Sequence, residues 1–262
     1  MNWLAGIGAT TIDKWRGLRY MLAVAWTVLG VGLRPRHWTR VTWQVFMRQV
    51  LFTGYEATRF VSLVACLVGI SIVVQTQVFL GMFGQTGFLG PILVMVVVRE
   101  IGPLLTNFIV LGRSGTAMAT EMGNMKAHGE IHVLDAQGID PFLYLVMPRA
   151  LSAAVSVFCL TVVFIVVSFA SGFITGSLLG VNTMDAWMFT DSVFRAVQKA
   201  DVFNLIAKTV IPGLLTGTIC CTEGLSVGTA ITEVPQAATR AVTRSTVALF
   251  VTSVLVSVLT YI

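Results

Sequence analysis

Residues 151–179 read LSAAVSVFCLTVVFIVVSFASGFITGSLL and contain no Asp, Glu, Lys or Arg. A helix needs about 20 apolar residues to cross the hydrocarbon core of a bilayer, so this stretch is long enough to span it. Four further apolar runs predict spanning helices at 60–80, 88–111, 203–221 and 247–262. The predicted fold class is an all-α integral membrane protein with five transmembrane helices.

The composition of the whole chain agrees with this fold class. Of the 262 residues, 56% are hydrophobic and 11% are charged, whereas soluble domains carry about 25% charged residues. The net charge of +5 comes from scattered Lys and Arg rather than from one basic module, so nucleic acid is not an expected partner. We predict a single membrane domain over residues 1–262.

The region before the first span, residues 1–59, predicts an interfacial or elbow region. Its apolar run at 20–33 is too short to span a bilayer comfortably. The run resembles the core of a signal peptide, but Arg34 and Arg36 follow it without a cleavage site, so we expect it to be retained. Residues 38–59 mix Trp and other apolar residues with Arg, which is typical of an amphipathic helix at the membrane surface.

The distribution of Lys and Arg predicts the orientation of the chain. Eight precede residue 60, none lies in the connection at 81–87, and three lie in the long connection at 112–150. Because cytoplasmic segments are enriched in Lys and Arg, we expect the N-terminus and the 112–150 loop in the cytoplasm. The C-terminus is then expected on the opposite side.

Two opposite charges, Arg99 and Glu100, lie in the middle of the second apolar run. Ionisable groups at that depth are costly and normally pair or face a polar cavity. One interpretation is a structural ion pair between them at a helix kink made by Pro103. The other is a site for a charged headgroup, and the sequence alone favours neither. Pro103 would also free the carbonyl near Arg99, which suits a broken helix that lines a cavity.

Small residues recur every four positions in two spans, with Gly172, Gly176 and Gly180 in one and Gly213 and Gly217 in the other. Such spacing lets helix backbones approach closely. We interpret both stripes as packing surfaces within one chain, and a subunit interface is the alternative.

Three methionines in the 112–150 loop follow a helical pattern. Met118, Met122 and Met125 are spaced i, i+4 and i+7 and would form one apolar stripe. Because Met side chains adapt to irregular surfaces, such a helix is suited to a groove on a partner protein. The alternative is that it lies on the bilayer surface.

Patterns for catalysis and metal binding are weak. His128 and His132 have a spacing that can bind a metal, but a third ligand is not evident, and no metal site is predicted. The sequence has no Gly-rich phosphate-binding loop, and no Ser-His-Asp or paired-carboxylate constellation stands out. We therefore expect a non-catalytic protein that binds no cofactor itself.

A series of motifs resembles the MlaE permease family, the membrane subunits of lipid-transporting ABC systems that work with MCE-domain proteins. The motifs are Arg99-Glu-Ile-Gly-Pro103, Gly112-Arg-Ser-Gly115, Glu121-Met-Gly-Asn-Met-Lys126, Gly138-Ile-Asp-Pro141, Pro148-Arg149, Thr222-Glu-Gly-Leu-Ser-Val-Gly228 and Ala238-Thr-Arg240. They keep the family's order and spacing. Their combination is far more specific than any one of them.

The resemblance implies a homodimer in the bacterial inner membrane that encloses an outward-facing pocket for phospholipid. It also implies a cytoplasmic ABC ATPase dimer, which binds ATP and Mg²⁺, and a periplasmic MCE-domain hexamer. Some systems add a small STAS-domain protein. The expected function is to move phospholipid or a related lipid between the inner membrane and the MCE-domain protein, which maintains outer-membrane lipid asymmetry or lipid supply.

The resemblance also implies roles for individual residues. Arg48, Arg99 and Glu100 are expected near the lipid pocket, and Gln75 near the outer end of the first span could line it or meet interfacial water. The segment around 115–140 is expected to couple the permease to the ATPase. Its candidate contact residues are Met118, Glu121, Met122, Met125, Lys126 and Asp140.

Two positions depart from the family pattern. The family often has Glu-Gly-Arg where this chain has Glu223-Gly-Leu225, and an arginine where this chain has Pro235-Gln236. The loss of two cations leaves the headgroup preference open.

Two other classes of function compete with this one. A secondary transporter could carry protons on Glu100 without an ATPase, and a purely structural membrane scaffold would carry no lipid. The absent phosphate-binding loop together with the Met-rich cytoplasmic helix favours a permease that docks a separate ATPase.

Overall fold

The computed structural model describes residues 23–32, 34, 38–83, 86–180, 185–228 and 230–261. The basic residues Lys14, Arg16 and Arg19 lie outside these ranges. Within them the regular structure is entirely helical, which confirms the predicted all-α class. The helices are α1 (Ala23–Gly32), α2 (Arg40–Met82), α3 (Leu89–Ala127), α4 (Glu130–Ala136), α5 (Phe142–Leu178), α6 (Ala186–Ala196), α7 (Lys199–Leu225) and α8 (Ile231–Tyr261).

Five of these helices, α2, α3, α5, α7 and α8, are long and apolar enough to cross a membrane, as predicted. Their most apolar windows have mean hydropathies between 1.5 and 2.7. Successive spans run in opposite directions, so the bundle has two ends. We call the end where α2 stops and α3 begins the hairpin end, and the end where α4 joins α3 to α5 the α4 end.

The long helices continue well beyond the predicted spans. The apolar pattern ends the second span at 111 and begins the third at 151, but α3 continues to Ala127 and α5 begins at Phe142. Most of the predicted 112–150 loop is therefore helical. The chain breaks instead at Gly129 and Gly138, which have φ of 77° and 74°, values that glycine adopts without strain. Hydropathy located the ends of the apolar surface rather than the ends of the helices.

One helix lies where the sequence predicts a connection between spans. α6 occupies part of the predicted 180–202 connection and is too short to register as a span. Its Trp187 and Phe194 side chains are exposed, and Arg195 pairs with Asp191 at 2.7 Å. An aromatic and charged surface of this kind is typical of a helix at the membrane interface.

The helix α5 is central and packs closely against α2, α3 and α7. A Cβ atom added at Gly213 would lie 2.9 Å from Ala154 Cα, and one added at Gly217 would lie 2.7 Å from Ala150 Cα. Likewise, a Cβ atom at Gly172 would collide with Val73 of α2, and one at Gly176 with Gln77. Gly172, Gly176, Gly213 and Gly217 therefore pack inside one chain, whereas Gly180 lies beyond the end of α5 and has open space around it.

The elbow before the first span has an exposed apolar stripe at helical spacing. Trp43, Met47, Leu51 and Tyr55 are exposed along one face of α2. A wide π-helical turn at Leu51–Tyr55 separates this elbow from the apolar helix that begins at Thr58. The arrangement fits the predicted amphipathic segment at the membrane surface.

Candidate functional site

A group of charged and polar side chains lies between α3, α7 and α8, toward the hairpin end. The two charges on α7 are the most deeply buried, since the side chains of Asp201 and Lys208 are 0% and 1% exposed. Their partners on α3 are more accessible, with Arg99 23% and Glu100 49% exposed. We call the following residues the charge cluster: Arg99, Glu100, Asp201, Asn204, Lys208, Ser257 and Tyr261.

The Asp201 carboxylate is surrounded by donors from α3, from α8 and from the residue that precedes α7. Arg99 Nε lies 2.8 Å from Asp201 Oδ1, and an Arg99 terminal nitrogen donates to Oδ2 at 3.3 Å. The Tyr261 hydroxyl donates to Oδ1 at 2.8 Å, and the Gln198 backbone N–H donates to Oδ2 at 2.9 Å. The last contact is part of a capping box at the start of α7. Asp201 therefore both starts its own helix and holds Arg99.

Tyr261 adds a second contact to Arg99. The guanidinium carbon lies 4.6 Å from the centre of the Tyr261 ring, a cation–π geometry. Asn204 donates to the Tyr261 hydroxyl at 3.0 Å. The end of α8 is thereby fixed against α3 and α7.

Glu100 forms the second ion pair of the charge cluster. Lys208 Nζ lies 2.6 Å from Glu100 Oε1, and Ser257 Oγ donates to the same oxygen at 2.9 Å. Arg99 and Glu100 therefore pair with α7 and not with each other, and the interpretation of an Arg99–Glu100 ion pair is wrong. Consecutive residues on a helix do not face each other, so each needs a different partner.

Two prolines and two polar side chains complete the contact between α3 and α7. Pro103 has no N–H for the Arg99 carbonyl, four residues earlier, and Lys208 Nζ donates to that carbonyl at 2.9 Å. Pro212 has no N–H for the Lys208 carbonyl, and Asn107 Nδ2 donates to it at 3.1 Å. Each helix supplies the donor that the other lacks. Pro103 frees the Arg99 carbonyl as expected, but α3 continues through it as a widened helix and does not break, and a side chain of the neighbouring helix satisfies that carbonyl.

The four charges sum to zero. Burying charges is costly unless they are paired and hydrogen-bonded, and here every buried charge has a partner of opposite sign. The accessible members, Arg99 and Glu100, lie in a wide π-helical segment at Val94–Ile101. Such segments are frequent at functional sites. The arrangement presents one cation and one anion side by side inside a membrane-spanning bundle.

The comparison with known proteins agrees with this architecture. Residues 46–259 match the family described as Permease MlaE. The chain belongs to the MlaE permease family. It is therefore the non-catalytic membrane subunit of an ABC transporter, a class that works with an ATPase.

Several relatives share most of this permease. A probable ABC transporter permease protein of Rickettsia typhi is 27% identical over 217 residues, covering 83% of each chain. The intermembrane phospholipid transport system permease protein MlaE of Haemophilus influenzae is 26% identical over 245 residues, covering 92% of this chain and 91% of its own. The chloroplastic protein TRIGALACTOSYLDIACYLGLYCEROL 1 of Arabidopsis thaliana is 26% identical over 244 residues, covering 93% of this chain and 67% of its own.

The structure does not bring Arg48 or Gln75 into the charge cluster of this permease. Arg48 is exposed on the elbow at the α4 end. At that end Arg113 donates to the Phe52 carbonyl at 3.1 Å, and Arg113 is fourteen residues, or about 20 Å, along α3 from Arg99. Gln75 is exposed on α2, where it donates to Ser71 at 3.4 Å.

The methionine stripe faces inward. Met118 and Met122 are 1% and 0% exposed, and Met125 packs partly against the same core. The prediction that this stripe enters a partner's groove is therefore wrong for Met118 and Met122. The periodicity correctly marked an apolar face, but that face packs against α7 and α8 of its own chain.

The other predicted coupling residues have separate surroundings. Glu121 pairs with Arg149 at 2.8 Å, and Lys126 is partly buried. Asp140 is exposed and its carboxylate accepts a hydrogen bond from the Phe142 N–H at 2.9 Å, just before α5. The most exposed surface at this end is α4 and the turn after it, which carry Val133 and Ile139.

Two buried charges at the α4 end, Arg149 and Glu223, have ion-pair partners on neighbouring helices. Arg149 of α5 is 7% exposed and reaches Glu121 and the Leu145 carbonyl. Glu223 of α7 is 5% exposed and contacts Arg244 and Arg240 of α8, the latter at 3.6 Å. We call these contacts the α4-end pairs. Two arginines of α8 thus surround a motif that lacks the family's arginine at position 225.

No potential metal site appears among the residues that the structure describes. His128 instead donates from Nδ1 to the Asn124 carbonyl at 2.7 Å.

Sequence reasoning missed the partners of Arg99 and Glu100. Lys208 had a usable signal, because it is a lone charge within the apolar run 203–221. Asp201 lies before that run and is indistinguishable from an ordinary helix-capping residue. Ser257 and Tyr261 carry no such signal.

Proposed function

We propose that this permease moves phospholipid between the membrane and a partner protein at the hairpin end. The proposal rests on two accessible side chains of opposite charge, Arg99 and Glu100, inside a membrane-spanning MlaE-family bundle. Each is held by a different residue of α7. The Haemophilus influenzae relative, named for intermembrane phospholipid transport, supports it. Charges at such positions are expensive and usually functional.

The charge cluster suits a phospholipid headgroup. Asp201 engages Nε and one terminal nitrogen of Arg99, and the other terminal nitrogen makes no bond within the described residues. That nitrogen can donate to a lipid phosphate, and such contacts are strong in a low dielectric. Glu100 is half-exposed beside it and can accept from the ammonium of a zwitterionic headgroup. The pair therefore complements both charges of such a lipid.

A second copy of the chain would complete the pocket. The apolar windows of α2 and α8 are only 28% and 17% buried, against 61% for α7. The residues Ser257 and Tyr261 of the charge cluster lie on α8. A homodimer through these less covered helices would enclose Arg99 and Glu100, as the family resemblance implies.

The α4 end would dock the ATPase. The exposed surface of α4 and its following turn offers apolar Val133 and Ile139 next to acidic Asp135 and Asp140. ATP and Mg²⁺ would bind the ATPase and not this chain. The N-terminus would be cytoplasmic and the C-terminus periplasmic, in a bacterial inner membrane, with the MCE-domain hexamer at the hairpin end and, in some systems, a STAS-domain protein on the ATPase.

The proposal is tested by lipid transfer from vesicles that contain the complete transporter. Arg99→Gln and Glu100→Gln should each reduce ATP-dependent transfer of a fluorescent phospholipid by about tenfold or more, since each removes one charge-assisted contact. Glu56→Gln, which breaks an exposed pair with Arg113 at the α4 end, is the matched control. Transfer at the wild-type rate in both cluster variants would refute the role of the pair.

The same assay distinguishes the proton-coupled alternative. A carrier centred on Glu100 would transport under a pH gradient without ATP. The permease should show no transfer without ATP, whatever the pH gradient. Membership in an ABC transporter family favours transfer that requires ATP.

A further inference from the structure

An apolar groove lies on the outside of the bundle near the hairpin end. Its volume is about 520 Å³. It opens between α3, α5, α6 and α7, whereas the charge cluster lies between α3, α7 and α8. Wall residues from the three nearest helices include Ile165, Phe169, Phe173, Phe189, Val193 and Leu205.

The wall residues that the structure describes offer no free polar group to a ligand. Among them only Thr190 has a hydroxyl, and that hydroxyl donates to the Ala186 carbonyl at 2.8 Å. The remaining wall residues are aliphatic or aromatic. This wall therefore suits a hydrocarbon occupant.

The size of the groove suits a slender apolar ligand. The groove lies within the size range of pockets that bind small apolar ligands, roughly 300–1,000 Å³. One alkyl chain fits this space, and the surrounding bilayer supplies such chains.

Two cations directly adjoin wall residues of the groove in sequence. Arg195 is 81% exposed and follows Phe194 of the wall; its Nε pairs with Asp191 at 2.7 Å, and its two terminal nitrogens make no bond within the described residues. Lys199 begins α7 two residues after Val197 of the wall, and it makes no ion pair within the described part of the chain. Exposed Trp187 on the same helix α6 is typical of headgroup level. The groove thus combines an apolar slot with two nearby basic side chains, which outnumber the one carboxylate, Asp191, that pairs with Arg195.

The geometry points to a second lipid site in this groove. It binds one acyl chain of an anionic phospholipid from the adjacent leaflet, and Arg195 and Lys199 bind the phosphate. Basic residues at a membrane surface attract anionic lipids in this way. The wall residues Val98 and Leu205 directly adjoin Arg99 and Asn204 in sequence, so a bound chain supports the helices that carry the charge cluster. The site does not depend on the transport proposal.

Photolabelling in nanodiscs tests the site. The full-length permease is placed in phosphatidylcholine that contains phosphatidylglycerol with a photoactivatable acyl chain, and labelled peptides are identified by mass spectrometry. Labelling should concentrate on the wall residues of α5 and α6. Ala170→Trp should remove most of it by filling the groove. Ile174→Trp, on the same helix but outside the wall, should leave it unchanged.

A surface variant keeps the test independent of groove packing. The double substitution Arg195→Gln and Lys199→Gln should lower labelling by phosphatidylglycerol by about tenfold, because each cation contributes to anionic lipid binding. Labelling by a matched phosphatidylcholine probe should not change. Equal labelling of the two Trp variants, or an equal response to both headgroups, would show ordinary boundary lipid and overturn the proposal.

Discussion

The charge cluster and the α4-end pairs both hold buried charged side chains, but they arrange the partners of those charges differently. In both, one member of each ion pair is buried and the other reaches water or a cavity. In the charge cluster, the two buried members, Asp201 and Lys208, have opposite signs and share one helix, α7. At the α4 end the buried members, Arg149 and Glu223, belong to different helices and to separate pairs.

This difference predicts which region tolerates substitution. The Asp201 carboxylate accepts hydrogen bonds from Arg99, Tyr261 and the Gln198 backbone. Its loss therefore leaves several donors without an acceptor at once. When Glu121 is replaced, the Arg149 guanidinium retains its hydrogen bond to the Leu145 carbonyl. One substitution in the charge cluster should therefore cost more folding stability than one in the α4-end pairs, because more groups lose a partner.

The largest effect is expected from Asp201→Ala. It removes a fully buried carboxylate, leaves Arg99 without its counter-charge and deletes the capping box of α7. Breaking a buried pair costs about 3–5 kcal/mol. Unfolding in a denaturant titration of the detergent-solubilised protein measures the free energy. Asp191→Ala on α6 breaks an exposed pair and should cost less than about 1 kcal/mol. Similar losses for the two variants would contradict the comparison.

A double-mutant cycle should show which charges are coupled. Arg99→Gln and Asp201→Asn together should cost less than the sum of the single changes, with an interaction of about 1–3 kcal/mol. The cycle of Arg99→Gln with Glu100→Gln should give a smaller interaction, since the structure pairs them with different residues. A larger coupling between Arg99 and Glu100 would restore the pairing that the sequence first suggests.

At the α4 end, Glu121→Gln should have a moderate effect. Arg149 loses its carboxylate but retains the Leu145 carbonyl, and Glu121 itself is half-exposed. A buried donor left partly unsatisfied costs about 1–2 kcal/mol. Thermal unfolding followed by tryptophan fluorescence is the readout, and a loss as large as that of Asp201→Ala would remove the distinction between the two regions.

The smallest effect is expected from Arg240→Gln. Arg240 lies 3.6 Å from Glu223 and is half-exposed, while Arg244 keeps its own contact with Glu223. A long contact made by a half-exposed arginine should contribute little, about 0–1 kcal/mol as for surface pairs. The same unfolding measurement should not distinguish this variant from wild type, whereas Arg244→Gln should be measurably less stable. If Arg240→Gln were the less stable variant, Arg240 and not Arg244 would be the main partner of Glu223.

Much of the fold follows from the sequence because hydrocarbon imposes a simple rule. A long apolar run must form a helix, since no water is available for its backbone. The five spans and the position of Arg99 and Glu100 within one of them were therefore readable. Helix ends were not, because residues 112–127 are polar enough to leave the bilayer and still suited to a helix.

The partners of charged residues could not be read from the sequence. Periodicity tells which residues share a face, but not which helix that face meets. Met118 and Met122 illustrate this, since the same spacing fits a partner's groove and the chain's own core. Lys208 was detectable as a charge in an apolar run, but its choice of Glu100 depends on how α3 and α7 cross.

The pairing of α3 with α7 has a consequence for how the chain is made. Asp201 and Lys208 are synthesised 102 and 108 residues after Arg99 and Glu100. For that interval the nascent α3 holds two membrane charges without their final counter-ions. We expect a ribosome-tethered chain that ends before 199 to be held by the insertion machinery, and release into lipid to follow the emergence of α7. The last steps of assembly thus belong to the helix that is synthesised late and buried most.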